Sequence, residues 1–151
     1  MTPQEFIAAL TPAAQKSMLI TKVPASFTIA EAADESGWGI HAPGMNLFGI
    51  KADASWHGPI TTQRTREVIH GQPIIVTANF RAYTDWLGSI QDHAVFLTTN
   101  PRYQPAFAYR SGALFARAVA AAGYATDPDY ADKVVSIINT HGLSALDTQT
   151  A

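Results

Sequence analysis

The segment Ala30-Glu31-Ala32-Ala33-Asp34-Glu35-Ser36-Gly37-Trp38-Gly39 determines how the rest of this 151-residue chain is interpreted. Its alanines favour a helix, and the glycines that follow are typical of a helix C-terminus. Glu35 would lie in the last turn, where the helix dipole disfavours ionisation. The like charges of Glu31 and Asp34, and burial beside Trp38, would raise its pKa further. Such a carboxyl group suits a general acid, although a solvated acidic helix end is the alternative interpretation.

The composition is that of an ordinary folded domain. The chain is 47% hydrophobic and 15% charged, and its formal net charge of −2 argues against a general affinity for nucleic acid or anionic membranes. The absence of cysteine excludes disulfides, a thiol nucleophile and cysteine-based metal sites. The five histidines show no metal-ligand spacing, so we expect neither a metal nor an organic cofactor.

The chain shows no membrane-spanning or secretory segment. No apolar run approaches the roughly 20 residues of a membrane span, and no signal peptide is visible. We therefore expect no insertion into a membrane. Three alternatives remain: the protein stays where it is made, another route exports it, or the chain is excised from a larger protein. Without repeats or linkers, we expect a monomer with one domain over residues 1–146 and a polar tail over 147–151.

Outward from the central segment, the pattern predicts an α+β fold that is mainly α. Thr2-Pro3-Gln4-Glu5 has the N-cap, N1 proline and N3 acid of a helix start. The central helix would run from Pro24 to Gly37 or Gly39. Residues 61–83 then predict a β-hairpin, because β-branched residues flank the turn at His70-Gly71-Gln72.

Three further helices are predicted after the hairpin. The first ends before Asn100, the second is capped by Ser111 and stopped by Gly123, and the third begins at Asp127-Pro128. Helical spacing predicts that the following residues of these helices point inward: Leu87, Ile90, Ala94, Leu97, Leu114, Phe115, Ala118, Val119, Val134, Ile137 and Ile138.

Six blocks of sequence, taken in order, carry a resemblance to a known family. They are residues 29–39, Asn46-Leu47-Phe48-Gly49-Ile50-Lys51, Phe80-Arg81-Ala82-Tyr83, Asp92-His93-Ala94-Val95-Phe96-Leu97, Asn100-Pro101-Arg102-Tyr103 and residues 122–128. Together they resemble the family 73 glycoside hydrolases, which include flagellar peptidoglycan hydrolases and bacterial autolysins. The resemblance implies a lysozyme-like fold with a small β-hairpin lobe, endo-β-N-acetylglucosaminidase activity on peptidoglycan glycan strands, and action in the periplasm or cell wall.

The resemblance also implies three catalytic residues. Glu35 would protonate the leaving glycosidic oxygen, Glu67 matches the family's second acid, and Tyr124 matches a tyrosine beside the first acid. The alternatives are a strand-edge charge at Glu67, with the substrate's N-acetyl oxygen as nucleophile, and a packing role for Tyr124. The chain departs from the family at two positions. Glu31 stands where the family usually has an amide, and Asp34 stands where it usually has an apolar residue.

Three more residues are implied as substrate-binding. Asn46 and Phe48 would form part of the cleft wall, with the Asn46 amide bonding an acetamido group. Tyr103 would stack on a sugar or pack in the core. Asp92 and His93 are interpreted as a structural hydrogen-bonding pair.

Other functions remain compatible with this fold. A lytic transglycosylase would use a single glutamate, an N-acetylmuramidase would cut the neighbouring linkage, and a wall-binding module would need no acid. The combination of Glu35, Glu67 and Tyr124 favours the glucosaminidase.

Overall fold

A computed structural model describes residues 1–148. Its helices are α1 (Pro3–Thr21), α2 (Ala25–Ser36), α3 (Trp86–Thr99), α4 (Gly112–Ala121) and α5 (Tyr130–Thr140), with 3₁₀ turns at Pro43–Met45, Pro101–Ala108 and Leu143–Asp147. Strands β1 (Ile60–Ile69) and β2 (Gln72–Arg81) form one antiparallel hairpin between α2 and α3. This arrangement confirms the predicted α+β class. No helix within residues 1–148 is long and apolar enough to cross a membrane.

Helix α2 runs through the centre of the molecule. Every residue from Ala25 to Ala33 is buried, as is Ser36, because α1, α4, α5 and the C-terminal 3₁₀ turn all pack around it. Small alanine side chains let these elements approach closely. Only Asp34 and Glu35 reach solvent along the helix, so its C-terminal turn opens into a cleft.

Capping residues and a C-terminal glycine mark the ends of the helices, as the sequence predicts. The side chain of Thr2 accepts a hydrogen bond from the Glu5 amide at 3.1 Å, as the predicted cap requires. Helix α2 ends at Gly37, which adopts the left-handed conformation with φ of 58°. Ser111 caps α4 by accepting from the Leu114 amide at 3.3 Å. Each confirms the boundary expected from the sequence.

The hairpin is a two-stranded lobe with a tight turn. His70 and Gly71 both have positive φ, 51° and 76°, which is the geometry of a type I′ turn. The turn fixes the register, so that Glu67 pairs with Ile74. Alternate side chains of β1 are half-buried, namely Thr61, Gln63, Thr65 and Glu67, and of these Thr65 and Glu67 line the cleft.

Three predictions about the last helices were wrong in detail. Leu87 and Leu114 are 47% and 50% exposed, because each lies in the first turn of its helix, on the side away from the core. Helix α5 begins at Tyr130 and not at Asp127, whose side chain accepts from the Asp129 amide in a preceding turn.

The end of the chain packs further than the expected boundary at residue 146. Asp147 belongs to the last 3₁₀ turn, and its carboxylate accepts from the Ser26 amide at 2.8 Å and the Ser26 hydroxyl at 2.5 Å, at the start of α2. Residues 149–151 of the predicted tail lie outside the described residues.

Candidate active site

Glu35 lies at the floor of a cleft of about 560 Å³ between the helical body and the hairpin. The end of α2 carries it there, and the chain turns away immediately at Gly37. The opposite side of the carboxyl group faces Gly49, where an added Cβ would lie 3.1 Å from Glu35 Oε2. Gly49 also has φ of 63°, so a glycine meets both the backbone and the space requirement at this position.

The surroundings of Glu35 raise its pKa from 4.5 to about 7. The main cause is desolvation by the surrounding protein, although the residue remains exposed to solvent through the cleft. The negative charges of Asp34, Glu67 and Asp127 raise the pKa further, and Lys133 opposes them. At neutral pH a large share of Glu35 is therefore protonated, as a proton donor needs to be.

Two sequence-based reasons for this shift were wrong. Trp38, which we expected beside Glu35, packs against the rings of Phe6 and His141. Glu31 is completely buried, which raises its own pKa well above the ordinary value, and it is not among the charges that raise the pKa of Glu35. The raised pKa of Glu35 therefore comes from desolvation by the protein and from the charges around the cleft.

Glu67 faces the same cleft from β1 and is ionised. Its Oε1 lies 2.5 Å from the Lys51 ammonium, and its Oε2 accepts from the Thr126 hydroxyl at 2.9 Å. Partial burial raises its pKa, but these two hydrogen bonds and the Lys51 charge outweigh burial, so the net pKa is lowered. Glu35 and Glu67, two of the acids that line the cleft, therefore have pKa values displaced in opposite directions.

Tyr124 lines the cleft wall next to these groups. Its hydroxyl donates to Glu31 Oε1 at 3.1 Å and lies 3.0 Å from His93 Nε2. Burial is the first cause that raises the pKa of Tyr124 well above its ordinary value, and the nearby carboxyl groups add to it. Tyr124 therefore remains a neutral phenol that contributes its ring to the cleft, and is unsuited to proton transfer.

Asn46 organises the loop beneath the cleft and has no free amide hydrogen. Its Nδ2 donates to the carbonyls of Ile50 and Arg81, both at 2.9 Å. Its Oδ1 accepts from the amides of Phe48 and Ile50 at 3.3 and 3.2 Å. Both donors are used within the protein, so the amide cannot also bond an acetamido group as we expected.

The other two expected substrate ligands are largely buried. Phe48 reaches the cleft lining, but it is only 3% exposed and stacks face to face on the His93 ring, with centroids 3.7 Å apart. Tyr103 is 4% exposed and packs against Tyr124 and Phe96. Tyr103 therefore packs behind the residues that line the cleft, which agrees with the alternative that it packs in the core.

Several cleft residues were missed from the sequence. Thr126, Asp127 and Lys133 line the cleft, and Asp127 pairs with Lys133 at 2.7 Å. For Thr126 and Asp127 the signal is the polar end of the block at residues 122–128, whereas no sequence block contains Lys133. Asp92 and His93 make structural hydrogen bonds, as expected. Asp92 accepts from Arg81 at 3.0 Å, and His93 Nε2 lies 3.0 Å from the Tyr124 hydroxyl.

The helices around one hairpin, with an acidic cleft between the helical body and the hairpin, give the molecule a lysozyme-like architecture. The chain belongs to the Glucosaminidase family, described as mannosyl-glycoprotein endo-beta-N-acetylglucosaminidase, whose sequence model matches residues 11–143. The match confirms the family inferred from the six blocks.

Known relatives agree with this placement. The chain is 40% identical over 143 residues to the peptidoglycan hydrolase FlgJ of Vibrio parahaemolyticus, covering 90% of this chain and 46% of FlgJ. It is 36% identical over 152 residues to the exo-glucosaminidase LytG of Bacillus subtilis, covering 95% of this chain and 53% of LytG. The chain thus spans about half the length of these curated relatives.

A solved structure shares the same fold. The crystal structure of a peptidoglycan hydrolase mutant from Sphingomonas sp. A1 aligns with a TM-score of 0.86 at 39% identity. The alignment covers 95% of this chain and 97% of that chain, so the lysozyme-like fold extends over nearly the whole molecule.

Proposed function

We propose that this domain hydrolyses peptidoglycan glycan strands after N-acetylglucosamine, with Glu35 as general acid and Glu67 as the ionised second carboxylate. The observation that carries the proposal is the opposite displacement of the two pKa values across one cleft. Glycoside hydrolysis commonly needs one protonated and one ionised carboxyl group on the two sides of the scissile bond. The names of the relatives, peptidoglycan hydrolase and exo-glucosaminidase, support this choice of polymer and linkage.

In the proposed reaction, Glu35 gives its proton to the glycosidic oxygen as the bond to the anomeric carbon breaks. Positive charge develops on the sugar ring, and the Glu67 carboxylate stabilises it. As water adds to the anomeric carbon, Glu67 accepts the proton that the water loses and then releases it to solvent. Lys51 and Thr126 use one lone pair on each Glu67 oxygen, so each oxygen keeps another that can accept from water. Glu35, ionised after the transfer, regains its proton from solvent.

The cleft favours cleavage within a strand. A second depression of about 130 Å³ shares Glu35, Gly49 and Phe80 with the main cleft and continues past His41 and Gln63. Sugar units could therefore bind on both sides of Glu35, as an endo-acting enzyme requires. Since one chain supplies both carboxyl groups, we propose that it works as a monomer, in the periplasm or cell wall where this polymer lies.

The decisive experiment identifies the new chain ends. Peptidoglycan digested with the domain is reduced with borohydride and analysed by mass spectrometry, and the proposal expects N-acetylglucosaminitol. Reduced muramic acid as the main terminus would indicate an N-acetylmuramidase. Anhydromuramic ends would indicate a lytic transglycosylase, and intact polymer would indicate a binding module.

Two variants assign the carboxyl groups. Glu35→Gln keeps the shape but cannot donate the proton, so turnover should fall by at least ~100-fold. Glu67→Gln should reduce turnover while binding of muropeptide chains stays near normal. A loss below about threefold for Glu67→Gln would instead assign the nucleophile to the substrate's N-acetyl oxygen. The matched control is Glu5→Gln, which changes an exposed glutamate at the start of α1 and should leave turnover unaltered.

A further inference from the structure

Glu31 is a completely buried acid that the proposed reaction does not use. It lies one turn before Glu35 on α2, and its side chain has no exposed surface. Oε1 accepts the Tyr124 hydroxyl at 3.1 Å, whereas Oε2 has no hydrogen-bond partner within the described part of the chain. His93 Nε2 lies 3.5 Å from that second oxygen. A bare oxygen of an ionised carboxylate in such surroundings would be very costly.

The groups that face Glu31 offer it no positive charge. They are Asp34 and Glu35 from α2, His93 from α3, Tyr124 from the loop after α4 and Tyr130 from α5. Burial lowers the pKa of His93 to about 3, so its ring is neutral. Burial, and then the charge of Glu35, raise the pKa of Glu31 well above its ordinary value. These surroundings favour the protonated form of Glu31.

The hydrogen bonds around Tyr124 have one consistent direction. Tyr124 has a single hydroxyl hydrogen, which it donates to Glu31 Oε1. With the proton of Glu31 on Oε2, Tyr124 accepts at 3.0 Å from Nε2 of His93 in the tautomer that is protonated there. Phe48 holds that imidazole by stacking on it at an interplanar angle of 1°. The Tyr124 hydroxyl is thus fixed by one donated and one accepted bond, both inside the protein.

We propose that Glu31 is a positioning residue that works as an uncharged carboxylic acid, holding the Tyr124 hydroxyl and thereby the ring that forms the cleft wall beside Glu35. Because Glu31 is neutral, it adds no charge next to the catalytic acid. The effect on turnover rests on the proposed function, but the protonation of Glu31 does not.

Kinetics of two variants at Glu31 test the positioning role. Glu31→Gln keeps an acceptor oxygen for Tyr124 and should retain activity within about threefold of the wild type. Glu31→Met keeps the volume but removes the acceptor, so kcat should fall by about tenfold with little change in KM. Tyr124→Phe should cost a similar factor, and adding Glu31→Met to Tyr124→Phe should cost little more. Additive losses, or full activity in Glu31→Met, would overturn the proposal.

The pH profile separates a neutral Glu31 from a charged one. In Glu31→Gln, the alkaline fall of kcat/KM, set by Glu35, should stay at the wild-type pH. The matched variant Asp34→Asn should move that fall to lower pH, because Asp34 is a charge that raises the pKa of Glu35. A downward move in Glu31→Gln as large as in Asp34→Asn would show that Glu31 is ionised, and the proposal would be wrong.

Infrared spectroscopy decides the protonation state without any turnover. The C=O stretch of a protonated carboxylic acid should be present at neutral pH in Glu35→Gln and absent from the double variant Glu31→Gln/Glu35→Gln. An unchanged spectrum would refute the neutral Glu31. This measurement also stands if Glu31→Met fails to fold. If the wild type does not cut peptidoglycan, the proposed function fails while the infrared band still reports on Glu31.

Discussion

Replacing Glu35 by glutamine should make the folded protein more stable in neutral and alkaline solution. The folded-state pKa of about 7 lies above the ordinary 4.5, so the folded protein holds this proton more tightly than the unfolded chain does. As pH rises from 4.5 towards 7, the unfolded chain ionises first, and the wild type loses stability over that window. Glutamine has no proton to lose, so Glu35→Gln should escape this loss.

The magnitude follows from the size of the pKa displacement. Each pKa unit is worth about 1.4 kcal/mol, so the rise from 4.5 to about 7 would cost about 3 kcal/mol for a fully enclosed group. Glu35 opens to the cleft, and solvent screening reduces that cost to about 1–2 kcal/mol. For a domain of this size, the melting temperature should rise by about 3–6 °C in alkaline solution.

Thermal unfolding of both proteins at a series of pH values provides the assay. The two melting temperatures should coincide in acid below the ordinary glutamate pKa, separate as the pH rises, and keep a constant difference above the folded-state pKa. The burial of Glu31 is the same in both proteins, and only the part of its pKa rise that comes from the Glu35 charge is lost in the variant. Equal melting temperatures in alkaline solution would show that the pKa of Glu35 is not raised, and would remove the physical basis of its role as acid.

Three other substitutions test the surroundings of the site. Gly49→Ala forces a Cβ to 3.1 Å from Glu35 Oε2 at a positive φ, so it should destabilise the protein by about 1–2 kcal/mol and lower kcat, as measured by melting and turnover. Lys51→Met removes a hydrogen bond and a charge that lower the pKa of Glu67, so the acidic limb of kcat/KM should move to higher pH; an unmoved limb would contradict the ion pair. Asp147→Ala removes the acceptor at the start of α2 and should cost about 1–2 kcal/mol in denaturant unfolding, with the specific activity of the folded protein unaltered.

Features with a local cause could be predicted from the sequence. The cap at Thr2, the glycine stop at Gly37 and the tight turn at His70-Gly71 are each decided by a few neighbouring residues, and the structure has all three. Helical periodicity was less reliable. It assigned Leu87 and Leu114 to the core, although a period shows only which side chains share a face, and the ends of a helix can project past its packing partners.

The roles of individual site residues depended on contacts between distant segments. Asn46 looked like a sugar ligand because it is polar and belongs to a family block, yet the carbonyls that occupy its amide come from Ile50 and from Arg81 on β2. Glu67 is held by Lys51 and by Thr126, 59 positions further along the chain. Contacts between residues so far apart in the sequence cannot be predicted from a local pattern.

The sequence by itself determined the family, the order of helices around one hairpin, and an acid at the end of a central helix, because helix stops, turn residues and the spacing of short blocks are properties of neighbouring residues. Only the tertiary structure decided the chemical state of each acid. Three glutamates of one cleft region differ through their surroundings: burial raises the pKa of Glu31 well above its ordinary value, the pKa of Glu35 is about 7, and the pKa of Glu67 is lowered beside a lysine. Desolvation and Coulomb interactions depend on what the fold places within a few ångströms, and these neighbours come from segments far apart in the chain.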